Sequence, residues 1–225
     1  MSGIGGIMGL AVSGGQTSGQ QFLTSGTFNI PSGIQFLEVL LVGGGGSGGK
    51  YTWNSTYSVA SGGGAGEILF GKIYVAGLTQ IAVTIGAGGA QKSTNGHGNS
   101  GGASSIGNLI IANGGSAGQG VDNRCSGGRG GGHYFATTSY YAAGQNEYRN
   151  YSGGTGSDMY MSSTQSEPGL GGAGGGAGNF AEWEGIVSVN TSVTVGAGGA
   201  GGAWVTRGTI GYPGQTGAVI VWWEE

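Results

Sequence analysis

Blocks of glycine constrain this chain more than any other feature. Glycine fills 59 of 225 positions and gathers at 43–49, 62–66, 86–89, 127–132, 169–178 and 196–202, against a usual share of about 7%. No strict triplet repeat runs through them, as it would in collagen. Each glycine held in regular structure costs about 0.5–1 kcal/mol more than alanine, and the blocks have almost no side chains to bury. They can instead approach one another closely and pair every N–H and C=O across neighbouring segments. A glycine-rich chain without a period is often disordered. Five Trp, ten Tyr and six Phe, together with β-branched runs, point the other way. The expectation is an all-β fold, a small β-sandwich or stacked sheets, with polyglycine-type extended segments packed alongside and long surface loops.

No window shows uninterrupted helical spacing of apolar residues, so no helix is expected. Strands are expected at Gln21–Ile30, Ile34–Val42, Glu67–Val75, Gln80–Ile85, Ser105–Ala112, Gly185–Val189, Ser192–Val195 and Ala218–Trp223, bounded by turn signals such as Pro31-Ser32-Gly33. Val83–Ala90 (VTIGAGGA) returns as Val193–Ala200 (VTVGAGGA). A hairpin feeding a glycine block therefore occurs twice, too few copies for a solenoid.

Several function classes lose support at this level. A net charge of −3 from seven basic and ten acidic residues, scattered singly, offers no basic stripe for nucleic acid. Cys125 has no partner within the chain. No secretory leader is read in the first twenty residues, and no apolar run is long enough for a membrane span, so no membrane insertion is expected. The sequons at Asn54, Asn150 and Asn190 carry little weight in a chain this rich in Ser and Thr. Gly43, Gly45 and Gly48 satisfy a dinucleotide spacing with Glu67 beyond, but that chemistry needs a helix opening at the third glycine, and none starts there. His97 and His133 have no nucleophile beside them in a recognisable elbow, and Cys125 reads as a free thiol in a loop. No catalytic residue and no cofactor is expected, so the chain reads as non-enzymatic. No metal site is assigned. The carboxylates Asp122, Glu147, Asp158 and Glu167 are scattered and leave a calcium site open as an alternative.

Two stretches break the pattern of strand and glycine block, at 50–61 and 133–166. Both are rich in Tyr, Asn, Ser and Thr, the composition of binding loops, in which Tyr supplies contact area at low entropic cost. Candidate binding residues are Tyr51, Trp53, Tyr57, His133, Tyr134, Tyr140, Tyr141, Tyr148, Arg149, Tyr151 and Tyr160, with Arg124 and Arg129 available for hydroxyls or acidic groups. Packing of these rings on the glycine segments is the competing reading for each residue. Trp183, Trp204, Trp222 and Trp223 sit beside strands and read as core or subunit contacts.

Four phrases taken in order carry a resemblance. Phe28, Pro31, Gly33 and Ile34 open a strand that ends in Gly43–Gly49; Thr84–Gly89 recurs as Thr194–Gly199; Gly101–Gly107 precedes Leu109–Gly115; and Pro213–Val221 ends in Trp222–Glu225. Over residues 22–225 the chain resembles the glycine-rich receptor-binding domain of bacteriophage tail fibres and tail-fibre adhesins. The resemblance implies host attachment at a virion tip, through a bacterial cell-surface polysaccharide or an outer-membrane protein. It also implies a homotrimer joined to other virion tail or fibre proteins and assembled in the host cytoplasm. Residues 1–21 are then the attachment segment. Two rivals remain: a structural fibre connector without a receptor role, and an ice-binding polyglycine protein, which the irregular tyrosine-rich insertions disfavour.

Overall fold

The computed structural model describes residues 17–53, 57–58, 60–120, 124–125, 147–151, 159–160 and 211–224, and the fold is that of these residues. All the strands pair antiparallel. The first sheet has the order β1 (Thr17–Phe22), β13 (Ala218–Glu224), β3 (Phe36–Val42), β6 (Ile68–Tyr74) and β11 (Glu147–Tyr151). The second has β2 (Gly26–Asn29), β7 (Gln80–Thr84), β8 (Ser104–Ile106) and β9 (Ile110–Ala112). Two short ladders complete the set, β4 (Thr52–Trp53) with β5 (Tyr57–Ser58) and β10 (Arg124–Cys125) with β12 (Met159–Tyr160). No helix occurs among the described residues, so the all-β reading holds.

Alternation along the strands puts every second apolar residue between the sheets. Leu37, Val39 and Leu41 of β3, Leu69 and Ile73 of β6, and Val219 and Val221 of β13 meet Phe28, Ile81, Val83, Ile106 and Ile110 of the second sheet. Phe28 lies at the centre, 6.3 Å from the Phe22 ring and 5.3 Å from Trp223. The alternate residues Leu40, Val42, Ile68, Ala218 and Ile220 form a second buried cluster on the other face of the first sheet. There Trp222 lies 5.6 Å from Phe70 and its Nε1 donates to Glu38. Trp222 and Trp223 thus serve opposite faces of one strand, both in packing roles, while Trp183 and Trp204 lie outside the described residues.

Two expected strands are divided. Gln21–Ile30 breaks at Leu23–Ser25, sending β1 to one sheet and β2 to the other, and Ser25 Oγ accepts from Ile85 N–H at the break. Ser105–Ala112 folds back as the hairpin β8–β9, because Gly107 takes φ +49°, a left-handed conformation that favours glycine. The fold takes in Thr17–Gln21 as part of β1, and residues 1–16 lie outside the described residues. So do both strands of the second repeat copy, whereas the first copy runs from β7 into residues 85–92.

The glycine blocks at 43–49, 62–66 and 86–89 are ordered, and those at 127–132, 169–178 and 196–202 lie outside the described residues. In residues 43–50 the N–H groups of 43, 46 and 49 donate to Glu67, Gly64 and Ser61. Those of 44, 47 and 50 donate to Gly102, Asn99 and Gly96, and those of 45 and 48 to Gln215 and Tyr212. Successive donors therefore turn to three different neighbours and repeat every third residue, the signature of an extended helix with three residues per turn. Carbonyls of the same segment accept from Gly115, Gly118 and Gly89. Residues 43–50 are the axis of a bundle surrounded by 60–67, 85–92, 96–103, 113–120 and 211–217. At about 3.1 Å per residue, eight residues span about 25 Å.

Side chains enter this bundle only where a neighbour lacks one. Ser47 fits on the axis because Gly98 faces it, and a Cβ at Gly98 would stand 2.7 Å from Ser47 Oγ. The four buried polar residues among those described, Ser47, Ser61, Glu67 and Ser104, share a task. Each accepts from a backbone N–H, those of Asn99 (2.7 Å), Gln119 (2.7 Å), Asn113 (2.8 Å) and Gly86 (2.9 Å) respectively. Glu67, at the joint between sandwich and bundle, also accepts from Asn113 Nδ2 at 3.0 Å. Glu67→Ala strands both donors and should lower stability by about 1–3 kcal/mol. Urea unfolding checks this: the midpoint falls while the slope stays unchanged.

Candidate functional site

Every bundle segment joins the sandwich at the same end, because β3, β6, β7, β8, β9 and β13 each have a segment attached at the end where Val42 pairs with Ala218. The connection between 43–50 and 60–67 therefore lies at the outer end of the bundle. That connection contains Tyr51 and the β4–β5 hairpin, whose register sets Trp53 opposite Tyr57. The turn joining 85–92 to 96–103 lies at the same end. Lys50 pairs with Gly96 and Lys92 with Gly211 across isolated bridges, and Lys50 Nζ donates to Ser93 O at 2.8 Å. Tyr212, next to Gly211, is exposed. At the opposite end of the sandwich Thr17 pairs with Glu224.

The structure brings together only part of the sequence-derived site. Tyr51, Trp53 and Tyr57 share the outer end. Tyr148, Arg149 and Tyr151 do not: they belong to β11, in register with Gly71, Phe70 and Ile68 of β6. The loop expectation for this part of 133–166 is therefore corrected. Tyrosine favours a pleated, half-buried strand, and β6 supplies a ladder for it. Tyr160 lies on β12 opposite Arg124. His133, Tyr134, Tyr140, Tyr141 and Arg129 lie outside the described residues. Sequence reasoning missed Lys50, Lys92 and Tyr212. Lysine placed where a glycine block ends, as in Gly-Gly-Lys50 and Gln-Lys92-Ser-Thr-Asn, was the available signal, since Lys72 is the only other lysine.

Gly43, Gly45 and Gly48 donate their N–H groups to Glu67, Gln215 and Tyr212, so the dinucleotide spacing presents no donors to a phosphate. Among the described residues no three His, Cys, Asp or Glu side chains gather to hold a metal. The outer end thus carries aromatics and amines on a backbone-bonded post.

Over residues 16–223 the sequence matches the family described as a glycine-rich domain. The chain belongs to that family. The match starts one residue before β1 and ends within β13, so the glycine-rich domain comprises sandwich and bundle together. No curated protein matches the chain.

Proposed function

We propose that this glycine-rich domain is the receptor-binding tip of a bacteriophage tail fibre, a non-enzymatic adhesin that recognises the bacterial surface and acts as a homotrimer within the virion. One observation carries the reading: the aromatic hairpin stands at the outer end of a rigid bundle, while residues 1–16 join the fold at Thr17, at the opposite end. Loops held on a stiff scaffold are where recognition concentrates, and the bundle costs the hairpin little entropy on contact. Three copies would convert weak single contacts into avidity gains of about 10²–10⁴.

Replacing residues 51–59 by a short glycine–serine turn should lower binding of the full chain to host cells by about 100-fold or more, with the unfolding midpoint preserved. Full binding by this variant would exclude the hairpin as the recognition element, and absence of binding by the unaltered chain would favour a connector role.

A further inference from the structure

We infer that the outer end of the bundle is a site for anionic sugars, with Lys50 and Lys92 holding a phosphate or carboxylate group of a bacterial surface glycan. This deepens the receptor-tip reading and rests on it. The two lysines end neighbouring stretches of the bundle and converge on one turn. Lys50 Nζ donates to Ser93 O, and the Lys92 side chain lies over Gly96, with Cε and Nζ 3.4 and 3.6 Å from where a Cβ there would stand. Gly96 has φ +138°, so the turn suits a residue without a side chain and leaves room for the amine.

Both lysines are half-buried, and among the described residues neither ammonium meets a carboxylate. The described acidic residues all belong to the sandwich or its joint with the bundle. Glu38 accepts from Trp222, Glu67 accepts from Asn113, and Glu147 and Glu224 belong to β11 and β13. Among the described residues the outer end therefore carries two cations and no carboxylate, whereas Lys72 and Arg149 lie with the acids in the sandwich. An ammonium has three donors, and Lys50 uses one on Ser93 O, which fixes its position and leaves two for an acceptor. Tyr51, adjoining Lys50, and Tyr212, adjoining the Lys92–Gly211 bridge and 48% exposed, supply aromatic surface for the apolar face of a sugar ring. Amines for the acidic group and rings for the pyranose together specify an acidic glycan over a neutral one.

The test immobilises the full chain and presents four probes: lipopolysaccharide with its core phosphates, the same material after dephosphorylation, polygalacturonate, and neutral dextran. Binding is expected to phosphorylated lipopolysaccharide, to polygalacturonate or to both, the pattern telling phosphate from carboxylate. It should fall at least about tenfold in K50Q/K92Q. It should also weaken as salt shortens the screening length from about 10 Å at 0.1 M to about 3 Å at 1 M. Glutamine removes the charge and leaves a shorter polar side chain, and the Lys50–Ser93 bond is exposed, so an unchanged unfolding midpoint is expected. Equal binding to dextran, no binding to any probe, or undiminished binding by K50Q/K92Q overturns the inference. Cell binding separates it from its parent reading. If the hairpin replacement abolishes attachment and K50Q/K92Q does not, the anionic-sugar site falls and the receptor tip stands. If the unaltered chain itself does not attach, the tip reading falls as well.

Discussion

Gly46→Ala should destabilise the protein by at least about 3 kcal/mol, beyond the usual cost of one added methyl in a packed interior. Gly46 lies on the bundle axis, and a Cβ there would overlap the carbonyl oxygen of Ser116. That oxygen cannot retreat freely, because it accepts from Gly64 N–H at 2.9 Å, while Gly46 N–H donates to Gly64 O at 2.8 Å. One methyl group therefore strains three segments at once. Thermal or urea unfolding measures the loss, and amide exchange should show residues 43–50 and 113–120 losing protection together. Ser100→Ala is the matched comparison: its side chain is exposed on an outer segment, and its effect should stay within about 0.5 kcal/mol. Equal stability of the two variants would show that the bundle is not close-packed.

Phe28→Ala should remove about 3–5 kcal/mol. Phe28 is 1% exposed, stands edge-on to Phe22 and packs on Trp223, so truncation opens a cavity bounded by both sheets. Against a total stability of about 5–15 kcal/mol for a domain, the urea midpoint should drop steeply. The bundle should unfold in the same transition, because its segments are continuous with β3, β6, β7, β8, β9 and β13. Trp223 fluorescence and exchange of the residue 43–50 amides should trace one curve. Two separate transitions would mean that the bundle holds its order without the sandwich beneath it.

Much of this architecture is legible in the sequence, for identifiable reasons. β3, β6, β7 and β13 are recognisable because their apolar residues alternate or run continuously, as strands covered on one or both faces require. Stacking of the glycine blocks follows from the backbone groups they must satisfy. Which block neighbours which does not, because glycine has no side chain by which one block could be told from another. The arrangement is set by the strands from which the segments depart. The four buried polar residues were illegible for a related reason: Ser47 resembles any loop serine until the lattice leaves Asn99 N–H without a carbonyl. Within the candidate site, Tyr51, Trp53 and Tyr57 could be found from composition. Tyr148, Arg149 and Tyr151 share that composition and are strand residues, since tyrosine serves sheets and binding loops equally well. Lys50 and Lys92 are 42 positions apart, and only the antiparallel return of residues 96–103 along 43–50 places them around one turn.

The rotation of donors along residues 43–50 has a consequence for how such a molecule changes over generations. One or two residues added to a segment would turn every later N–H away from its acceptor, so such changes should be confined to the connections at the outer end. Three residues added to each segment would restore all the pairings and extend the post by about 9 Å, with its tip facing the same way. Reach and specificity are therefore separately variable: length changes in steps of three, while the sequence at the tip changes without constraint from the lattice below.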